Sequence, residues 1–392
     1  MPASLAQNLT EKLIACPSVT PRDKGAMDIL INFLKPLGFQ CDIYEFGHGI
    51  HKTKNLYAKW GSGEPNLAFA GHVDVVPSGD EKKWSSPPFT PTIKDGFLYG
   101  RGAVDMKGGI AAWCAALAKF LPEFSSNITS TNQTGGALSL LITGDEEGHA
   151  KFGTEKLLTA ISERGEKLSA CIIGEPTCPD TLGQMIKIGR RGSLSGHITV
   201  DGIMGHAGYP HLADNPAHRL IDILTTLKNW QIDKGSKNFE PSHLVITTID
   251  IGNSALNIIP EKATAHFNIR FNDQQTGQDL IEKITNLLTA FDKTKYHIAW
   301  QLTAESFLTP EGDISQTLTT AIEKITGIKP QLATLGGISD SRFIKNYCPV
   351  VDFGHVNKTI HQIDEKVALQ DLDDLSKIYY EFMVHYFNCQ TS

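Results

Sequence analysis

No stretch of this sequence approaches the roughly 18 unbroken apolar residues of a membrane-spanning helix, so no membrane partner is expected. Positive charge is not in excess either. Lys and Arg number 36 against 43 Asp and Glu, for a net charge of −7, and there is no Lys/Arg-rich run. A nucleic-acid-binding surface needs that basic excess, so no nucleic acid partner is expected. An acidic balance still permits an anionic small molecule, because a few buried Arg residues can hold one locally. Cysteine pairing is missing: Cys16, Cys41, Cys114, Cys171, Cys178, Cys348 and Cys389 are scattered, with no CxxC. This points to reduced thiols in a cytoplasm and away from a disulfide framework or a Cys-type zinc site. Each reads as a small buried hydrophobe. The opening MPASLAQNLTEKLIACPSVTP has no basic segment followed by an apolar one, so no signal peptide is expected and the location reads as cytoplasmic. A Walker P-loop, a GxSxG elbow and an HExxH helix are also absent, which removes the chemistries they carry.

What is present is a chain of 392 residues, 41% hydrophobic and 20% charged. That profile gives two or three folded domains with sizeable cores and excludes a disordered chain, a collagen or a coiled coil. Leu5–Ala15 and Gly25–Leu37 read as amphipathic helices. The runs NLYAKW, NLAFAG, ALSLLITG and SACIIG read as strands, and Ile110–Phe120 as an Ala-rich helix followed by a polar, exposed loop, SSNITSTNQTGGA. Continuous apolar strands alternating with helices indicate an α/β domain with a mixed, mostly parallel sheet covered on both faces. The middle of the chain differs. GSLSGHITVDG, HLVITTIDIG and KATAHFNIRF alternate at period two, with helices between them, as in an α+β insert. The expected organisation is a discontinuous catalytic domain, 1–190 and 306–392, interrupted by a smaller domain, 191–305.

Each apolar run of the outer domain ends in a metal-type ligand. NLAFAG leads to His72 and Asp74, SLLITG to Glu146 and Glu147, and ACIIG to Glu175. Asp105 precedes the Ala-rich helix, and His361 follows VVDFGHVNKTI. Taken singly, each is an ordinary loop or turn residue. In an open α/β sheet, however, ligands bind beyond the carboxyl ends of the strands, so these segments would converge at one edge. Converging carboxylates repel unless a cation neutralises them. Two imidazoles and three carboxylates suit two borderline divalent ions, with zinc the best fit. Such a pair, about 3.5–4 Å apart, needs a bridging carboxylate, and a further carboxylate must stay off the metals to move protons.

HVDVVP, WSSPPFTPTIKDGFLYGRGAVDMKGG, ITGDEEG, GEPT and IHQIDE, in that order, resemble the di-zinc aminoacylase/carboxypeptidase family of exopeptidases and amide hydrolases. The resemblance runs over nearly the whole chain. It implies a zinc-exopeptidase-like catalytic domain and a ferredoxin-like lid and dimerisation domain. It implies that Asp105 bridges two Zn2+ (Co2+ able to substitute), that His72 and Glu175 hold one and Glu147 and His361 the other. Glu146 would be the general acid/base and Asp74 the partner orienting the His72 ring, and the peptide after Asp105 would be cis. His206, in GHAGYPH, carries no role by its spacing. The resemblance implies that it reaches the partner subunit's active site in a homodimer and stabilises the oxyanion.

KIGRRGSLSGHITVDGIMGHAGYPHLADNPAHR further resembles the desuccinylase branch of that family, which implies a small-molecule substrate, N-succinyl-L,L-diaminopimelate. Substrate contacts are then implied at Arg190, Ser193, Tyr209, Asn257, Arg270, Gly337 and Asn357, with Arg191 and Gly336 beside them. An acetylornithine deacetylase or other N-acyl-amino-acid hydrolase is the alternative. Two positions depart from the pattern. Ile338 stands where relatives commonly have Thr, and Leu256 precedes Asn257 where relatives often have an Asn pair.

Overall fold

Strands Asn66–His72, Ala137–Thr143 and Ala170–Ile173 are buried along their whole length, as continuous apolar runs require. The structure is a computed structural model that describes residues 3–131, 135–337 and 339–390, with side chains described except at 127–131, 389 and 390. Ile338 and the Cys389 thiol therefore lie outside the described residues. Of the other cysteines, Cys41 is half-buried and the rest are buried, all as free thiols.

The chain divides into two compact units. The first comprises Met1–Ile188, Thr309–Ala333 and Ser339–Ser392. Its eight-stranded sheet runs in the order Gln40–Phe46, Thr53–Gly61, Ala137–Thr143, Asn66–His72, Ala170–Ile173, Val350–Asp352, Met185–Lys187, Gln331–Ala333. The third to sixth of these are mutually parallel, with antiparallel pairing on either side. Helices Gly108–Thr131 and Leu369–Gln390 cover one face. Phe69 of the sheet stacks on Trp113 at 4.7 Å, and Trp113 meets Tyr379 edge-on at 5.2 Å. Helices Ala26–Leu34 and Thr154–Glu163 pack against other strands of the sheet. The helix from Gly108 runs on through Pro122 to Thr131, where the polar composition suggested a loop. Phe124 stacks on Phe120 and packs on Phe387, both at 4.8 Å, so tertiary packing carries the helix into the polar run.

The second unit comprises Gly189–Leu308 and Thr334–Ile338. Its strands Gly192–Asp201, His243–Asp250, Lys262–Phe271 and Tyr296–Ala304 form an antiparallel sheet with the first and third strands central. Helices Pro216–Asn229 and Gly277–Leu287 follow the first and third strands, giving the βαββαβ order of a ferredoxin-like fold. Along Lys262–Phe271 burial alternates, and Ala263, Ala265, Phe267, Ile269 and Phe271 pack against Leu220, Ile223, Leu280 and Ile284 of the helices. Asn215 caps the first helix ahead of Pro216, and Thr276 with Asp279 forms a capping box on the second. Thr334–Ile338 belongs to this unit although its sequence style resembles the flanking domain. Thr334 Oγ1 donates to the Asn238 carbonyl (2.6 Å) and Arg190 Nη1 to the Gly337 carbonyl (2.8 Å). Among the described residues no helix is long and apolar enough to cross a membrane.

Candidate metal centre

Four parallel strands deliver their carboxyl ends to one edge of the first unit's sheet. His72 ends its strand in register with Thr143, just before Asp145, Glu146 and Glu147. Ile173 is followed by Gly174 and Glu175. Here side chains leave the sheet without competing for its hydrogen bonds, which is why this edge can carry ligands.

Asp105 lies at the middle of the cluster. Its Oδ1 is 3.2 Å from His72 Nε2 and its Oδ2 is 3.1 Å from His361 Nε2. Glu175 Oε1 lies 3.7 Å from the same His72 nitrogen, and Glu147 Oε1 lies 2.8 Å from His361 Nε2. Among the described residues, three groups have potential ligand atoms within 4.8 Å of one another: His72, Asp105 and Glu175; Asp105, Glu147 and His361; and His72, Glu146 and Glu147. Asp105 thus belongs to the first two and turns a different oxygen to each histidine. The peptide between Asp105 and Met106 is cis.

The His72 ring is oriented by Asp74, through its backbone. Nδ1 donates to the Asp74 carbonyl at 2.8 Å, whereas the carboxylate stands 3.8 Å away. That carboxylate accepts the backbone N–H groups of Glu146 (3.3 Å) and Glu147 (3.1 Å) instead. Asp74 therefore holds the loop of the glutamates as well as the ring.

The electrostatics show what the cluster wants. Burial works to raise the Asp105 carboxyl, but hydrogen bonds from His361 and His72 hold it well below the usual carboxylate range. Hydrogen bonds to Asp105 and Glu147 push His361 up to about 10. His72 is also raised well above its ordinary value. Burial alone would lower it, but the bond to Asp105 and the charges of Asp105, Glu146 and Glu175 outweigh that. For Glu146, burial and the nearby Glu175 charge outweigh the His72 charge and push it well up. Asp74 is pushed up to about 6 by burial. A set of carboxylates that draws protons onto two imidazoles is a set that would exchange those protons for divalent cations. The donors (imidazole nitrogen and carboxylate oxygen, no thiolate) fit zinc, cobalt or manganese.

The other residues singled out in the sequence fall elsewhere. Asn357 is in the first unit, its N–H bonded to the Cys178 carbonyl. In the second unit, Arg190 is buried against Gly337, beside Gly336, and Ser193 stands opposite Arg270 in strand register. Arg270 is half-buried, and burial together with the charge of Arg191 lowers its pKa. His206 is exposed, pairs with Ile258 and takes the Gly208 N–H on Nδ1. Tyr209 and Asn257 are exposed. Sequence reading passed over two carboxylates. Asp340 accepts the Thr154 hydroxyl (2.6 Å) and adds negative charge near Glu146. Glu365 is fully buried under the Asp105 loop. The only signal for Glu365 was its place at the end of IHQIDE.

A family model described as peptidase family M20/M25/M40 matches residues 68–385, which span every candidate ligand named above. An M20 family metallo-carboxypeptidase from Sulfolobus solfataricus is similar in structure, at 18% identity over 97% of this chain and 99% of that one, with a TM-score of 0.74. An aminopeptidase from Bacillus cereus is similar at 17% identity over 98% of both chains, with a TM-score of 0.76. A Bacillus subtilis protein described as a dinuclear metal binding peptidase from the M20 family is similar at 15% identity, over 99% of this chain and 98% of that one, with a TM-score of 0.67. At these identities the structural likeness carries the fold, and the family model carries the membership. The chain belongs to peptidase family M20/M25/M40, metal-dependent hydrolases of peptide and related amide bonds.

Proposed function

We propose that this protein is a di-zinc amide hydrolase that cleaves N-succinyl-L,L-diaminopimelate to succinate and L,L-diaminopimelate, in the synthesis of diaminopimelate and lysine. The observation that carries the chemistry is Asp105, whose two oxygens lie 3.2 and 3.1 Å from the ring nitrogens of His72 and His361. Asp105 would bridge two ions, with His72 and Glu175 on one and Glu147 and His361 on the other. When bound, such ions acidify a shared water and polarise an amide carbonyl. Glu146, held high by burial, would take a proton from the attacking water and return it to the leaving amine. Asp74 would keep Glu146 in reach through the backbone bonds it accepts.

The substrate reading rests on the second unit's cations. A succinylated diamino dicarboxylate presents several carboxylates, which guanidinium groups bind with geometric specificity. Arg190, Arg270 and Ser193 would take them, with Tyr209, Asn257, Gly337 and Asn357 completing the contacts. The second unit would also form a homodimer in which His206 serves the partner's site. Exposed apolar side chains on it support this: Ile203, Met204, Leu212, Val245, Ile249 and Leu256, the last 101% exposed. A cytoplasmic location agrees with the free thiols.

The test is hydrolysis of N-succinyl-L,L-diaminopimelate and N-acetylornithine side by side by zinc-loaded protein, with metal-stripped protein as control. The expected result is a strong preference for the succinyl compound that stripping abolishes. Preference for the acetyl compound, or turnover of neither, would sink the substrate reading.

A further inference from the structure

Glu365 stands in the same loop as His361 and is fully buried. Its Oε1 accepts the N–H groups of Val104 (2.9 Å) and Asp105 (3.2 Å). Its Oε2 accepts the Gly102 N–H (3.0 Å) and Arg101 Nη1 (2.9 Å). Both oxygens thus face only donors, a set that a carboxylate satisfies and a side-chain amide cannot, because its NH2 would oppose N–H groups. Arg101 also donates to the Gln362 carbonyl (3.2 Å) and lies over the Trp84 ring at 5.0 Å. The backbone that presents Asp105 is therefore gripped by a side chain covalently joined to the backbone that presents His361. That second backbone takes left-handed φ values at His361 and Asp364, both 59°. L-residues hold this conformation only where their surroundings fix it. Ser85 supplies an outer pin, donating its N–H (2.8 Å) and hydroxyl (3.0 Å) to Asp364 Oδ1.

We infer that Glu365 is a positioning residue that couples the two metal positions, fixing the Asp105 and His361 backbones relative to one another before any metal binds. It touches neither substrate nor metal. Loosening its grip moves the bridging carboxylate, so both positions weaken together. This inference rests on the two-metal reading proposed above.

The experiment titrates wild type, Glu365→Gln and Glu365→Asp with Co2+ against a competing chelator, following the cobalt d–d absorption, with circular dichroism to check folding. Wild type is expected to bind two Co2+ per chain. A wild type that binds fewer overturns the two-metal reading itself. Glu365→Gln is expected to lose about 10–100-fold in affinity at both positions, with shifted d–d bands. Its kcat falls while KM stays nearly constant, the pattern of a displaced reacting centre. Glu365→Asp, which keeps the charge on a shorter stem, recovers part of the loss. Two sites of wild-type affinity and spectrum in folded Glu365→Gln, or loss at one position alone, would overturn the inference while leaving the two-metal reading intact. Hydrogen exchange on the metal-free wild type gives a check that needs no variant. The Val104 and Asp105 amides are expected to exchange slowly, and fast exchange would mean that Glu365 does not hold the loop before metal binds.

Discussion

Asp105 and Glu146 are both carboxylates in the same buried edge, yet their pKa values move in opposite directions. Asp105 meets two imidazoles, while Glu146 meets mainly other carboxylates, and neighbours decide the sign once burial is shared. This division of labour makes Glu146→Gln the sharpest single change. If Glu146 has the proposed role, the change should leave both metals bound, measured by metal content, and lower kcat by about 10²–10⁴-fold, since only the proton carrier would be lost. Full activity in that variant would remove Glu146 from the chemistry. The histidines give a second expectation. Both are raised in the metal-free cluster, His361 to about 10, so near neutral pH both carry a proton that metal must displace. Binding should release about two protons from the imidazoles, and affinity should rise with pH toward 10. Calorimetry in buffers of different ionisation enthalpy measures the release, and pH-independent affinity would contradict it. His355 behaves in the opposite sense. Burial lowers it to about 4, outweighing a backbone hydrogen bond with Gly108 that acts to raise it. The folded state keeps it neutral while the unfolded chain protonates near 6.5, so its contribution to stability is complete above that pH and is lost as pH falls toward 4. Wild-type stability should then drop more steeply than that of His355→Leu between pH 6.5 and 4, by up to about 1.4 kcal/mol per pH unit. Denaturant unfolding at several pH values checks the difference, and equal slopes would rule it out.

Among elements, backbones pack closely where strand ends meet the helix that follows Asp105. A Cβ on Gly109 would stand 2.6 Å from the Gly174 carbonyl, and one on Gly354 would stand 2.5 Å from Gly174 O and 2.6 Å from Glu175 O. These are backbone contacts, so no side chain can swing away to relieve them. Gly354→Ala should cost about 1–3 kcal/mol of stability by overpacking. Because the displaced backbone carries Glu175, it should also weaken metal binding on the His72–Glu175 side more than on the Glu147–His361 side. Thermal unfolding with a two-step metal titration reads both, and equal weakening of the two sides would argue against this path. The helix continuing to Thr131 teaches the converse lesson. Local polarity called for a loop, but Phe124 on Phe387 outweighed it.

For the whole molecule, the second unit exposes apolar residues and His206, and the proposed homodimer would give both a role. On that proposal, sedimentation should report a dimer for wild type and for His206→Ala alike, with kcat lowered in the variant. Inactive His206→Ala and inactive Glu146→Gln subunits, mixed under exchange, should regain activity, because a mixed dimer restores one complete site. If no activity returns although exchange is shown, catalysis across the interface is ruled out.

Local sequence alone specifies the alternation of buried strands and helices, the period-two insert and the candidate ligands just after apolar runs. These depend on local periodicity and on where a buried strand must end, which neighbouring residues specify. What holds those side chains in place is set by contacts that form when the chain folds. Glu365 lies 260 residues from Asp105 along the chain, and the bond from Thr154 to Asp340 spans 186. Asp74 was legible as a partner of His72, but not that its carbonyl would serve the ring and its carboxylate the Glu146–Glu147 loop. A hydrogen bond's partner is set by which backbones the packed core brings within about 3 Å, and that proximity exists only once the chain has folded.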